Sequence, residues 1–327
     1  MTWLAWRQLR VPVLSVYAFL AVAGVILAVT RPDGTYSTHQ ESLYTGAQVG
    51  VHLLPALLGV FWAVPMIARE LETGTHNLVW NQSITRTRWL TVKLGVGVPA
   101  AMVAAGLLSL AVTWWADPVD SAAGAKVEDN ITPRLTPMVF AARGIAPIGY
   151  AAFAFVLGIA VAILLRRTVT AMAVTLVVYA AVQLAVPLAV RPHILPPVEE
   201  AVTITARNIA GIQADDGVVA QSLFVLEPAG AWVLANQTVD ANGAVVRPLP
   251  DVVGDCLPPS SAETPAVLDF ERIHTCFARL SDHGYRQHLV YQPASRFWPF
   301  QWLELGMFLA LSALLTWFCF RGLRHLS

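Results

Sequence analysis

The chain has 327 residues, 56% of them hydrophobic and 13% charged, and its lysines and arginines balance its aspartates and glutamates to zero net charge. Soluble domains run nearer roughly 45–50% apolar and about 25% charged, so water is not the main solvent of this chain. Without a net basic field, nothing global argues for a nucleic-acid partner.

The apolar residues fall in blocks of about twenty, the length that a bilayer-spanning helix needs. Six can be drawn: Val11–Thr30, Val49–Ala68, Leu94–Trp115, Gly144–Leu165, Val169–Val190 and Phe297–Phe320. A helix satisfies its own backbone amides in lipid, and a β-barrel would show alternation instead, so the reading is an all-α polytopic membrane protein with six transmembrane helices. The first block, led by Arg7 and Arg10 and containing the small residues Ala21 and Ala23, has some look of a secretory signal. It exceeds the usual signal core of about 7 to 15 residues, and five further spans still need an orientation. Ahead of it, Trp3, Leu4, Trp6 and Leu9 are set against Arg7, Gln8 and Arg10. That pattern reads either as a short amphipathic helix at the interface or as an aromatic and basic flank of the first span.

Pro55, Pro65 and Pro187 are expected to bend or end their helices. The polar residues near the spans, His52, Gln183, Gln301 and Glu304, read as structural. His52 and Glu304 are placed near the external interface, and Gln183 deeper and bonded to a neighbouring helix. Orientation follows from the basic residues: Arg7 and Arg10, then Arg69, Arg86, Arg88 and Lys93, then Arg166 and Arg167, then Arg321 and Arg324 all fall on one side. The positive-inside rule makes that side, with both termini, cytoplasmic, and two lysines against many arginines, with heavy use of alanine and valine, suggest a GC-rich bacterial genome and hence a bacterial plasma membrane.

Between the fifth and sixth spans lie about 105 residues of more balanced composition, enough for a small folded module. Ala231 to Val239 and Ala244 to Arg247 flank the turn Asp240-Ala241-Asn242-Gly243, which predicts a β-hairpin. Thr264 to Leu280 reads as a helix, capped by Thr264, with Val267, Phe270, Ile273, Phe277 and Leu280 on one face. The result is a small mixed α/β extracytoplasmic domain over residues 191–296, between a segment 1–190 holding the first five spans and a segment 297–327 holding the sixth and a cytoplasmic tail. Cys256 and Cys276 fall in this region, where an oxidising compartment lets disulfides persist, and they are predicted to pair. The loop closed is about 20 residues, for which chain entropy gives roughly 3 kcal/mol. Cys319, inside the last span, reads as a buried apolar thiol.

No phosphate loop, H-E-x-x-H or G-x-S-x-G pattern is present, so no catalytic residue is assigned and no metal or cofactor is expected in this chain. The informative stretch is the connection from Ile67 to Lys93, whose order Glu70, Glu72, Gly74-Thr75, Leu78, Ser83, Thr85-Arg86, Arg88-Trp89, Lys93 resembles the pattern that follows the second span in ABC-2 type transport permeases. The segment from Tyr285 to Trp298 also resembles a feature of actinobacterial permeases of this kind. The resemblance implies that Glu70, Glu72, Gly74, Thr75, Ser83, Arg86 and Arg88 couple to a separate nucleotide-binding ATPase subunit. That partner would carry the ATP and magnesium.

The mix of charges with Leu71, Leu78, Trp80 and Trp89 as apolar anchors suits a partner surface, with an interfacial loop of membrane-belt tryptophans as the bland alternative. The expectation is therefore one permease subunit of an ABC exporter of unidentified substrate, assembled with a second permease as a homodimer or paired heterodimer. The rival is a membrane sensor whose external module binds a ligand, against which stands the lack of a cytoplasmic signalling domain.

Overall fold

The helix Ala146–Leu165 carries no charged residue and is apolar on every side, and a helix of that kind has its stable place inside a bundle. In the computed structural model, which describes residues 2–33, 37–74, 85–123, 132–215, 219–250, 275, 277 and 279–323, this helix is the centre of the membrane unit. The chain divides into two compact units, Met1–Ile194 with Ser295–Ser327, and Leu195–Ala294.

In the first unit the helices are α1 (Thr2–Val29), α2 (Thr38–Leu57) running on into α3 (Val64–Glu72), α4 (Arg86–Ala123), the short α5 (Pro137–Ala141), α6 (Ala146–Leu165), α7 (Thr168–Ala185) running on into α8 (Arg191–Ile194), and α9 (Phe297–Leu323). Six of these stretches are long and apolar enough to cross a membrane: Arg10–Val29, Thr38–Glu72, Arg86–Asp120, Ala146–Leu165, Thr168–Ile194 and Ala294–Gly322. All six blocks drawn from the sequence are there, the second and third much longer than drawn. α9, α4, α2, α3 and α7 pack around α6, of which 83% is buried, against 17% for the first and fifth spans and 22% for the last.

Small residues set this packing. A Cβ on Gly158 would lie 2.6 Å from the carbonyl oxygen of Gly59, and one on Gly59 would lie 2.6 Å from that of Ala154, so the two backbones touch. Close approach of this kind drives helix association where lipid is as apolar as the side chains. Phe155 likewise sits in the notch left by Gly97, where a Cβ would fall 2.1 Å from the ring.

One expectation is corrected here. The N-terminal segment is not a separate interfacial helix, because α1 runs unbroken from Thr2 to Val29 with Pro12 inside it. None of the three prolines ends its helix. Pro65 follows a π-helical segment, Leu58–Ala63, and Pro187 lies within another, Val186–Val190. A wider turn relieves the clash between a proline ring and the carbonyl of the previous turn. The connection between α6 and α7 is only Arg166 and Arg167, possible because Arg166 takes a left-handed φ of 54° as its N–H closes on Ala162.

The second unit holds an antiparallel sheet in the order β1 (Val198–Val202), β5 (Arg286–Gln292), β4 (Trp232–Val239) and a separate hairpin of β2 (Ile209–Asp215) with β3 (Val219–Val225). The hairpin expected around Asp240 survives only as a turn closed by a single bridge between Val239 and Val245. The main partner of β4 is β5, paired from Trp232 with Gln292 to Val239 with Arg286. Only the end of the Thr264–Leu280 helix is described; its Phe277 and Leu280 are buried with Ile204, Leu223, Val225 and Leu249. Amides stitch the two sheets: Gln287 donates to the Leu223 carbonyl (2.8 Å) and to Asn236 Oδ1 (2.7 Å), while Asn236 donates to the Val225 carbonyl (3.0 Å). Cys256 and Cys276 lie outside the described residues. The one cysteine inside them, Cys319, is buried and free.

Candidate functional site

The connection between the second and third spans leaves α3 through Glu70 and Glu72 and re-enters α4 at Arg86. Its two ends are clamped together inside the protein. Lys93 Nζ, on α4, lies 2.7 Å from Glu70 Oε1 and donates to the Met66 carbonyl at 2.6 Å, and Trp89 Nε1 donates to Glu70 Oε2 at 2.9 Å. The ammonium also sits 4.5 Å from the centroid of the Trp89 ring. Lys93 is 4% exposed and Trp89 2%, so this is a buried, fully engaged charge pair. Burial at this price in desolvation holds only where partner and hydrogen bonds are all present.

Glu72 reaches a third span. Its Oε2 accepts from the Thr168 hydroxyl at 2.6 Å and the Thr168 N–H at 3.2 Å, satisfying one of the open amides at the start of α7. Gly74, at φ +71°, turns the chain out of α3 in a conformation that a side chain disfavours. At the other end Thr85 caps α4, accepting from the Arg88 N–H at 3.3 Å. Thr73, Thr85, Thr87 and Arg88 are exposed and Arg86 is half-buried, while Thr75 and Ser83 lie outside the described residues.

The opposite end of the bundle carries a second polar cluster. Glu304 on α9 is 0% exposed and takes two hydrogen bonds of 2.9 Å from Arg191 and one of 2.5 Å from the Tyr150 hydroxyl. Arg191 is also 0% exposed. The one nitrogen of its guanidinium without an acceptor, Nη1, is explained by the Phe140 ring, whose centroid lies 4.1 Å from the guanidinium carbon. Close by in the chain, Arg143 bonds Asp120 and Tyr44. Gln301 tucks under the turn at Gly144, its Oε1 accepting from the N–H groups of Ile145 (2.9 Å) and Ala146 (2.7 Å) and its Nε2 donating to the carbonyls of Phe140 and Arg143. Every polar atom of that amide is used, and α9 is tied to the start of α6. Among the described residues no group of acidic, histidine and cysteine side chains could hold a metal ion.

Residues 11–191 match the family described as ABC-2 membrane transporter related. The chain belongs to that family. The match runs from the first span through Arg191, and with six apolar helices it makes the chain a multi-pass membrane protein of transporter-permease type. Comparisons with curated proteins and with solved structures found no match.

In this permease the residues singled out from the sequence separate into two groups. Glu70 is turned onto Lys93 and Trp89, and the expected anchors Leu71 and Trp89 are buried at 9% and 2%, whereas Glu72 is exposed with its carboxylate on Thr168. Leu78 and Trp80 lie outside the described residues. Glu304 is corrected from a watered interfacial residue to the acid of a buried ion pair, because it lies two turns inside α9 on the face turned to α6. Gln183 bonds Tyr179 of its own helix, one turn back at 2.5 Å, not a neighbouring helix. His52 similarly contacts the Gln48 carbonyl at 2.8 Å. Arg191 and Tyr150 were not found from the sequence. The signal for Arg191 was there: opposite charges at the end of one span and inside another are each too costly in a bilayer to remain alone.

Proposed function

We propose that the chain is the permease subunit of an ATP-driven exporter, with the connection from Thr73 to Arg86 as the element on which a separate ATPase subunit acts. The observation that carries this is the double clamp. One end of the connection is fixed by Glu70, Lys93 and Trp89, and Glu72 hitches it to the first turn of α7. A displacement of this segment is therefore delivered to the second, third and fifth spans together, all of which pack on α6. A partner that binds ATP and magnesium would supply the energy, and a second permease copy, identical or paired, would complete the pathway. Bistable packing around a touching pair of helix backbones suits a transition between two arrangements.

The test is photo-cross-linking of the full chain in its own membrane. A photoreactive residue replaces Thr73 or Thr85, both exposed. A nucleotide-binding subunit with a phosphate loop is expected as the cross-linked product at both positions, and not from a position on α1 such as Val22. If neither position captures such a subunit while the permease remains folded, the coupling role of this connection is wrong.

A further inference from the structure

α4 and α9 lie on two flanks of α6 and meet each other little, which leaves a groove floored by α6. Gly95 and Val98 of α4, Ala152 and Val156 of α6, and Leu309 and Ala313 of α9 line it. Two hydroxyls in its wall are already spent: Thr91 donates to the Thr87 carbonyl at 2.8 Å and Ser312 to the Phe308 carbonyl at 2.7 Å. What fills it must be apolar along its length, because little in the wall remains to bond a polar guest.

The extent of the groove sets the kind of guest. It runs from Thr91 to Pro99 on α4 and from Phe320 back to Leu309 on α9, starting near the end at which both helices leave the membrane. Eight to eleven steps along the helix at about 1.5 Å each give roughly 12–16 Å, which is one leaflet of a hydrocarbon core of about 30 Å. A single aliphatic chain lying along one leaflet has that reach.

Charge at the mouth selects the head. Arg88 continues the stripe of Thr91, Gly95 and Val98 at helical spacing and is exposed, and Arg321 is exposed one residue past Phe320 on the facing helix, its guanidinium 5.6 Å from the centroid of the Trp317 ring. The acids of this end are occupied elsewhere, Glu70 with Lys93 and Trp89, and Glu72 with Thr168. Two outward cations over an apolar slot fit a phosphate above an acyl chain.

We infer that the groove between α4 and α9 is a binding site for an anionic phospholipid of the leaflet on the side of the termini, one acyl chain along the groove and the phosphate at Arg88 and Arg321. This separates the two arginines at the start of α4: Arg86 lies on the stripe of the buried Leu90 and Lys93, and Arg88 faces the bilayer.

Gly95 offers a clean probe, since a Cβ there meets nothing within 4 Å, so Gly95→Leu fills the groove without pressing on the protein. The full chain would be purified in mild detergent, titrated with dioleoyl phosphatidylglycerol or dioleoyl phosphatidylcholine, and weighed intact by native mass spectrometry. The native chain is expected to hold one phosphatidylglycerol in preference to phosphatidylcholine, and Gly95→Leu to hold it at least about tenfold more weakly. Arg88→Gln with Arg321→Gln is expected to erase the preference between the two lipids with the melting temperature unchanged. Equal retention of both lipids by the native chain overturns the proposal. So does undiminished phosphatidylglycerol on Gly95→Leu, or a loss of dimer there with lipid binding unchanged, which would make the groove a contact between two copies.

Discussion

Lys93 and Glu70 stand 23 residues apart in the chain and meet inside the membrane unit because α3 and α4 run back to back from one connection. The pair is worth most as a pair. Removing one member leaves the other buried without compensation, a loss of about 3–5 kcal/mol, whereas apolar replacement of both is close to neutral. Lys93→Met is therefore expected to lower the thermal midpoint in detergent sharply, and Glu70→Gln with Lys93→Met to recover most of the loss. A double-mutant cycle with coupling below about 0.5 kcal/mol would show that the two side chains act independently. The sequence named both residues through the order of a motif, Glu70 also as a surface contact and Lys93 for orientation. Their mutual bond was not legible, since it depends on which faces of α3 and α4 meet. Arg191 and Glu304 repeat the lesson at longer range: 113 residues separate them, and the packing of α7 and α9 against α6 brings them together.

At the scale of elements, the spans were legible because a bilayer fixes their length and composition. Their ends were not, because a helix that continues into the interface or through a proline leaves no apolar signal there. Thus α4 begins at Arg86, not Leu94, and the π segment before Pro65 lets α2 and α3 act as one 35-residue span. In the second unit the turn around Asp240 was readable from its residues, while the pairing of β4 with β5, some 50 residues away, was set by tertiary contacts that local propensity does not encode. The contact between the π segment and α6 also gives a test. In Gly158→Ala the new methyl would stand 2.6 Å from the Gly59 carbonyl, so the helices must separate, at an expected cost of about 1–3 kcal/mol. Gly24→Ala, where nothing lies within 4 Å, should instead leave the melting temperature unchanged or raise it slightly. Equal melting of the two variants would mean that the second and fourth spans do not touch through their backbones.

For the molecule as a whole, the use made of each arginine bears on how it sits in the membrane. Arg31 stacks on Trp114, Arg134 on Phe297, and Arg143 is bonded to Asp120 and Tyr44, so the cations at the end away from the termini are held by side chains beside them. At the other end Arg10, Arg69 and Arg88 are exposed, and Arg321 is exposed with its guanidinium over the Trp317 ring. Orientation is set by lysine and arginine close to the span ends. The excess of arginine and lysine at the end that holds the termini predicts that both termini are cytoplasmic and the Leu195–Ala294 unit external. Alkaline phosphatase joined after Asn242 should be active and green fluorescent protein joined after Ser327 should fluoresce, with the reciprocal fusions silent. The reverse pattern would place the Thr73–Arg86 connection outside the cell, beyond the reach of any ATPase, and would remove the exporter reading along with the orientation.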